Sequence, residues 1–367
     1  MRIGSHRSGS CRRIGLVWRN HVTSYPTVAM PQPPSTQTLT QCNLCKGRAV
    51  GLLEGTPTLV RCMDCGLLSL AEFPKEEDRE SLYQENYYRE ETGNRFLGAL
   101  ELLIYWFRWF RMKAILKREP GPASILDVGC GRGVLLELFN KRGWRSMGTQ
   151  LSRTAAKAAR DKRDADVYCC ELTDLVVEKE SFHVITFFHV LEHLDRPSPY
   201  LLKTHDLLTE KGLLVVEVPN FASPGFRFLG LRNFCIDYPN HLIFFTPSSL
   251  KSILNQCGFN VVSVSHFSLE YSPFTTLQNL LNFIPGPSNL FYRSLMSNEE
   301  GRRLRKNPLC WLHAILALVL AAPAFLLSLA SLVLPVGNTM RFYCRKVTHV
   351  PSTESRDSSV DTTGPVE

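Results

Sequence analysis

Ile125-Leu126-Asp127-Val128-Gly129-Cys130-Gly131-Arg132-Gly133 is the stretch whose reading decides the fold. Ile125 to Val128 reads as a short buried strand, the alternate glycines break it, and Val134 to Asn140 resumes as an apolar-periodic helix. The glycines leave the turn without side chains, so a ligand can lie against bare backbone while the amides at the helix start point at negative charge. Asp127, just before the turn, is placed to accept hydrogen bonds from a ligand ammonium or from the loop amides. The G-x-G-x-G spacing is one residue shorter than the dinucleotide-binding G-x-G-x-x-G pattern.

Downstream the units repeat as strand then helix. Trp144 to Thr149, Asp166 to Cys170, Phe182 to His189, Gly212 to Val218 and Asn260 to Ser265 read as strands. Helices are expected over Ser152 to Arg163, Ser198 to Leu208 and Pro247 to Gln256. Such alternation predicts an α/β, doubly wound sheet with the ligand at the C-terminal strand ends, where the glycine loop lies. Before the loop, Asn94 to Lys117 reads as a helix packed on the sheet, with a lid or a membrane-surface face as the alternatives, and residues 71–94 with Tyr83, Tyr87 and Tyr88 as a linker.

The chain has 367 residues, 44% of them hydrophobic, enough for one sizeable domain core over residues 121–268 with smaller attachments. Its formal charge of +8 is uneven, with no acidic residue before Glu54. Residues 1–40 lack both a helical or strand period and the apolar core of a secretory signal, and read as a disordered basic leader or as sequence upstream of a start at Met30. A transit peptide and a nucleic-acid arm are the alternatives. Cys42-x-x-Cys45 and Cys62-x-x-Cys65 enclose 16 residues, the spacing of a four-thiolate zinc ribbon over 41–70. A closed tetrahedral shell leaves no position for water, so that zinc is expected to be structural. With 12 cysteines, one of them inside the glycine loop, the chain suits thiolates in a reducing cytoplasm rather than a secreted disulfide scaffold.

Asp127-x-Gly129-x-Gly131-x-Gly133, followed by Gly148-Thr-Gln150, His189-Val-Leu-Glu192-His193, Gly212 to Asn220, His241 to Pro247 and Cys257-Gly-Phe259, resembles the class I S-adenosylmethionine (SAM) dependent methyltransferases. The likeness is nearest to a bacterial group that carries an N-terminal four-cysteine zinc motif and methylates sugars or other small acceptors. It implies a Rossmann-like seven-stranded sheet whose last strand, over 338–347, runs antiparallel. It also implies SAM held by Asp127, Gly129, Gly131, Gly133 and Gln150, the last standing where the family usually has an acidic residue for the ribose. His189, Glu192 and His193 follow the fourth strand beside the expected methyl donor, and each is a candidate general base for a hydroxyl acceptor. The ubiquinone-pathway and small-RNA methyltransferases hold a divalent cation with a comparable cluster plus a later histidine. By that resemblance His189, Glu192, His193 and His241 form a second metal site, against the alternative of structural hydrogen bonding.

Leu309 to Val336 contains no charged residue, is centred on Pro323 and is flanked by cations on both sides. Because the last strand must return to the sheet, the run is expected to fold as a helical hairpin within residues 269–337 that dips into one leaflet or lies in the interface without spanning. A buried helix pair or dimer seam is the alternative, and the length alone also permits a true span. Residues 348–367 read as a disordered tail.

The expected activity is methylation of a hydroxyl on a small or lipid-linked acceptor, a glycan precursor or quinone-type ring, at the inner face of a membrane. C-methylation of a sugar nucleotide is the nearest variant within the class. From another class, the rival is a non-catalytic zinc-containing module that grips nucleic acid or a protein. SAM, structural zinc and a second divalent metal are the expected cofactors, and nucleic acid is not the expected partner.

Overall fold

The computed structural model describes residues 36–38, 41–42, 44–45, 47, 50–53, 57–74, 98–296 and 298–347. The tyrosine-bearing linker, the tail and residues 1–35 of the leader lie outside them. Within the stretch expected as leader, Thr36–Thr38 (β1) pairs antiparallel with Glu72–Pro74 (β5), so the leader expected to reach residue 40 is shorter. Threonine suits a pleated ribbon, and β5 supplies the hydrogen bonds the segment lacks alone.

The cysteine module contributes Val50–Leu53 (β2), Leu59–Cys62 (β3) and Leu68–Leu70 (β4). Gly98–Leu116 (α1) then leads into Ser124–Val128 (β6), Val134–Asn140 (α2), Arg145–Thr149 (β7), Arg153–Arg163 (α3) and Asp166–Tyr168 (β8). Phe182–Phe188 (β9), Pro197–Leu207 (α4) and Leu208–Pro219 (β10) follow. After Pro224–Leu229 (α5) come Ile243–Phe244 (β11), Pro247–Gln256 (α6) and Phe259–Ser265 (β12). Ser272–Leu281 (α7), Leu290–Leu295 (α8), Glu299–Leu304 (α9), Pro308–Leu329 (α10) and Thr339–Lys346 (β13) complete the described chain.

Seven strands form the central sheet in the order β12-β13-β10-β9-β6-β7-β8. Strands β6 to β10 run parallel, and β13 inserts antiparallel between β10 and β12. This is the Rossmann-like arrangement that the resemblance implies. Every residue of β6 is buried, as an inner parallel strand covered on both faces requires. From β6 the chain builds outward through β7 and β8, then returns to β9 and β10 on the other side. That reversal opens a crevice at the C-terminal ends of β6 and β9. One core, around Phe182, Phe187, Phe342 and Phe259, fills one part of the interior, and another joins α1 and α2 to the sheet through Met112, Ile115, Phe139 and Trp144.

A second sheet has the order β11-β4-β3-β2. Its edge strand β11 comes from the central region, pairing Ile243 with Ser69 and Phe244 with Leu68. Leu59, Leu68 and Leu70 share a core with Phe244 and Phe245, so the cysteine module is joined to the domain by both hydrogen bonds and apolar packing.

The helical hairpin expected at Pro323 is not formed. Helix α10 continues through that proline for 22 residues and turns only afterwards, through Ala330–Leu332, toward β13. Proline forfeits one backbone bond, to the carbonyl of Val319, but here it sits on the exposed side. Ala321, Ala322 and Ala324 beside it favour helix and leave its ring space.

Candidate active site

The glycine turn is tight for a reason in its backbone. Gly129, Gly131 and Gly133 have φ of 70°, 55° and 71°, in the left-handed region that only glycine enters at little cost. A Cβ built on Gly129 would lie 2.6 Å from Val190 Cγ2. The amides of Gly129 and Cys130 donate to the Thr149 carbonyl at 2.9 and 3.1 Å, tying the turn to the end of β7. The loop is therefore braced against the neighbouring strand, not left with all its amides facing outward.

Above it lies a cavity of about 1230 Å³, larger than a single drug-sized ligand needs. Asp127, Gly129, Gly131 and Gln150 line one part of it, and His189, His193 and His241 another. Asp127 is buried and accepts a 2.6 Å hydrogen bond from Thr186 Oγ1 on β9. Burial pushes its carboxyl up to about 6, against the pull of that bond and of Arg108 and Arg111. Gln150 uses its Oε1 to accept from the Ser152 amide at 3.2 Å, which turns its carboxamide nitrogen outward as a donor.

The histidine-bearing segment follows β9 directly. His189 adopts φ of 58°, rare for a residue with a side chain, and its amide is fixed by the Glu217 carbonyl at 2.8 Å. Its Nδ1 meets Glu192 Oε1 at 3.0 Å, and its Nε2 lies 3.3 Å from Glu217 Oε1, off the line of a hydrogen bond. Burial opposes charging this ring, but the two carboxylates outweigh it and raise its pKa. Glu192 is fully buried, and its second oxygen, Oε2, has no hydrogen-bond partner. Burial would raise its pKa, yet His189 and the other nearby histidines hold it below the usual carboxylate range.

Glu192, His193 and His241 each aim a ligand atom at a common point, all within 4.8 Å of one another. The two rings meet edge to face at 4.7 Å between centroids. His193 Nδ1 lies 2.9 Å from the Asn240 carbonyl and His241 Nδ1 2.8 Å from the Cys235 carbonyl. A carbonyl can only accept, so each Nδ1 carries the proton and each lone pair sits on Nε2. Burial and the neighbouring His241 push the His193 pKa down to about 4, keeping that ring neutral near pH 7. The structure thus divides the expected set of four: Glu192, His193 and His241 converge, whereas His189 is occupied by the two glutamates.

Beneath the cluster is a charge network whose members are not singled out by any motif. Glu217 on β10 accepts from Arg111 at 2.9 Å and from Arg341 Nε at 2.5 Å, and Arg111 also pairs with Glu270 at 3.0 Å. Tyr271 stacks on His189 with ring centroids 4.1 Å apart. The available signal was a lone glutamate in the apolar run Leu213 to Val218, and Arg341 between Met340 and Phe342 in the closing strand. A charge in a buried strand requires a partner. In helix α1, Met112 and Ile115 pack on the core, while Ile104, Phe107 and Arg108 line the cavity.

Some distance along the chain, the four cysteines gather as two cross-pairs, Cys42 with Cys65 and Cys45 with Cys62, each at 3.5 Å between sulfurs. The Leu44 and Gly47 amides donate to Cys42 and Cys45 sulfur at 3.4 Å, as the first metal-binding knuckle would require. Four sulfurs held by backbone amides in a half-buried cluster fit a tetrahedral zinc.

Residues 107–264 match a family model described as a methyltransferase domain. Over that span the chain is similar to SAM-dependent methyltransferases. Among curated relatives it is 28% identical over 188 residues to a probable S-adenosylmethionine-dependent methyltransferase of Mycobacterium tuberculosis, covering 50% of this chain and 65% of the relative. It is 27% identical over 159 residues to a ubiquinone biosynthesis O-methyltransferase of Rhodopseudomonas palustris, covering 41% of this chain and 62% of that protein. The chain thus spans less than two thirds of these relatives' own length. A solved SAM-dependent methyltransferase from Archaeoglobus fulgidus is 23% identical, with a TM-score of 0.41, covering 68% of this chain and all of that one. The methyltransferase domain match takes in the glycine loop, Gln150 and all four residues of the histidine cluster, and leaves the cysteine module and α10 outside.

Proposed function

We propose that the chain moves a methyl group from SAM to a hydroxyl of a small acceptor of the quinone-ring type, with a divalent metal on Glu192, His193 and His241. The observation that carries the metal is Glu192 Oε2, a buried carboxylate oxygen without a hydrogen-bond partner, facing two imidazoles whose tautomer puts a lone pair on Nε2. Carbonyls on the far nitrogens orient the rings as ligands. Two imidazoles and one carboxylate suit a transition metal better than Mg²⁺, which takes oxygen ligands. The O-methylating relatives support the acceptor class. The four cysteines hold a separate, structural zinc.

In this reading the Gly129–Gly133 turn and Gln150 hold SAM, and Asp127 accepts from the ammonium of its methionine part. When bound, the metal would lower the pKa of the acceptor hydroxyl. The chain's own residues supply the alignment: β6 and β9 end side by side, so donor and acceptor are held in one cavity with the attacking oxygen behind the S–CH3 bond. An O–C bond forms, the S–C bond breaks with its electrons on sulfur, and the hydroxyl proton leaves to solvent.

Isothermal titration with SAM, and transfer of labelled methyl to a dihydroxybenzene acceptor before and after metal removal, test this. Transfer should vanish with a chelator that leaves the thermal melt unchanged, and return on adding Zn²⁺ or Mn²⁺. Transfer indifferent to chelation would remove the metal from the reading, and absence of SAM binding by the folded chain would remove the enzyme. The pH dependence follows from Asp127. Its carboxylate form, needed to meet an ammonium, is present above pH 6 and lost as pH falls through 6. SAM affinity should therefore be level above pH 7 and fall by up to about tenfold per unit below 6. Titration of Asp127→Asn, which lacks the ionising group, should show weak affinity without that slope.

A further inference from the structure

Helix α10 is built inside out for a helix in water. The side chains it turns toward α7 and α8 are small or polar: Cys310, His313, Ala317, Ala324 and Ser328, and Ser331 in the turn just past its end, are each at most 5% exposed. Those it turns outward are large and apolar, with Trp311 65%, Ile315 59%, Leu318 81%, Val319 66%, Leu326 66% and Leu327 58% exposed. A surface helix of a protein bathed in water shows the opposite order. Small residues at the helix contact and bulky ones outside is the pattern of helices packed in lipid, where the outward face loses nothing by being apolar.

The occupant of that outward face can be chosen from its extent and its flanks. At 100° per residue, the inward positions fall within a strip of roughly 60°, and the exposed positions sweep roughly two thirds of the circumference. A protein partner covers one side of a helix, whereas acyl chains and headgroups wrap around it. The inward strip runs from Cys310 to Ser331, so the helix lies along the domain for its full length and cannot stand across a bilayer. Just before it, Arg302, Arg303 and Lys306 are exposed, set against the carboxylate of Glu299, while Glu300 is taken up by Arg293.

We infer that α10 seats the protein on an anionic bilayer, lying in the plane of the interface with its apolar arc among the acyl chains and the Arg302–Lys306 cluster on the headgroups. Such a helix binds by buried apolar area, with attraction to anionic lipid added to it. Helices α7 and α8, on which α10 rests, supply Phe274, Tyr292 and Leu295 to the wall of the cavity. The cavity thus stands one helix away from the lipid.

Co-sedimentation of the full chain with vesicles tests the inference without any methyl transfer, so its failure is separate from that of the proposed activity. Vesicles of phosphatidylcholine alone are compared with phosphatidylcholine mixed with phosphatidylglycerol. The wild type should bind the mixed vesicles, and more weakly the neutral ones. Leu318→Glu/Leu326→Glu alters only outward positions, so it should melt as the wild type does and bind at least tenfold more weakly to both. Arg302→Ser/Arg303→Ser/Lys306→Ser should lose the preference for the mixed vesicles and keep the neutral binding. Folded wild type remaining in the supernatant with both vesicles would overturn the inference. So would equal binding by the Leu318→Glu/Leu326→Glu variant, or a wild-type dimer in light scattering that this variant turns into a monomer.

Discussion

Gly129→Ala is expected to abolish SAM binding, raising the Kd by at least about a hundredfold, since a left-handed backbone and a buried contact are both violated. The residue has φ of 70°, and its new Cβ would be 2.6 Å from Val190 Cγ2. Valine cannot turn away cheaply, because its branched Cβ restricts χ1. The alternative is for the turn to move, which breaks the two hydrogen bonds that the Gly129 and Cys130 amides donate to the Thr149 carbonyl. Val190 also precedes Glu192 and His193, so the displaced valine would disturb the acceptor side as well. The fold should survive with a loss of about 1–3 kcal/mol, the ordinary range for such a change. Titration calorimetry beside a thermal melt separates the two effects. Affinity within threefold of wild type would mean that the turn does not hold the donor.

The second large effect concerns turnover without binding. His193→Ala and His241→Ala should each lower kcat by about 10²–10⁴-fold while leaving the SAM Kd within threefold, because ligands that act as a unit fail together. The double variant should be little worse than either single one. Independent general bases would give additive losses instead. His189→Ala should fall between, since that ring touches Glu192 but is not among the converging ligand atoms. Metal content measured on the same preparations decides the matter: one equivalent should disappear in the two former variants, and the four-cysteine equivalent should stay.

The sheet and the glycine turn were legible because they obey local rules. Ile125, Leu126 and Val128 put apolar side chains on both faces of the strand, and the alternate glycines admit few backbone shapes. The four cysteines were legible by spacing alone. What escaped was whatever depends on strands far apart in sequence lying side by side. Nothing local indicates that Arg111, Glu217 and Arg341 meet, since they come from a helix and two strands separated by more than a hundred residues. Likewise nothing in the local sequence separates His189 from His193; the former is engaged by Glu192 and by Glu217, and the second of these comes from the distant strand β10. The hairpin at Pro323 failed for a different reason. Proline was weighed as a breaker, but a single missing bond among helix-forming alanines does not end a helix whose inward strip is already seated.

Strand β11 is only Ile243–Phe244, yet it ties two parts of the molecule into one inheritance. On one side it pairs with β4, and just before it Leu242 donates to the Glu192 carbonyl at 2.8 Å, with His241 next to it. A fragment trimmed to the matched span 107–264 would keep all these residues and lose their partner strand. Its newly bared edge would invite pairing with other chains, and clumping would be the first symptom of the cut. Replacing the cysteine module of this chain with another therefore has to carry β4 and β11 together.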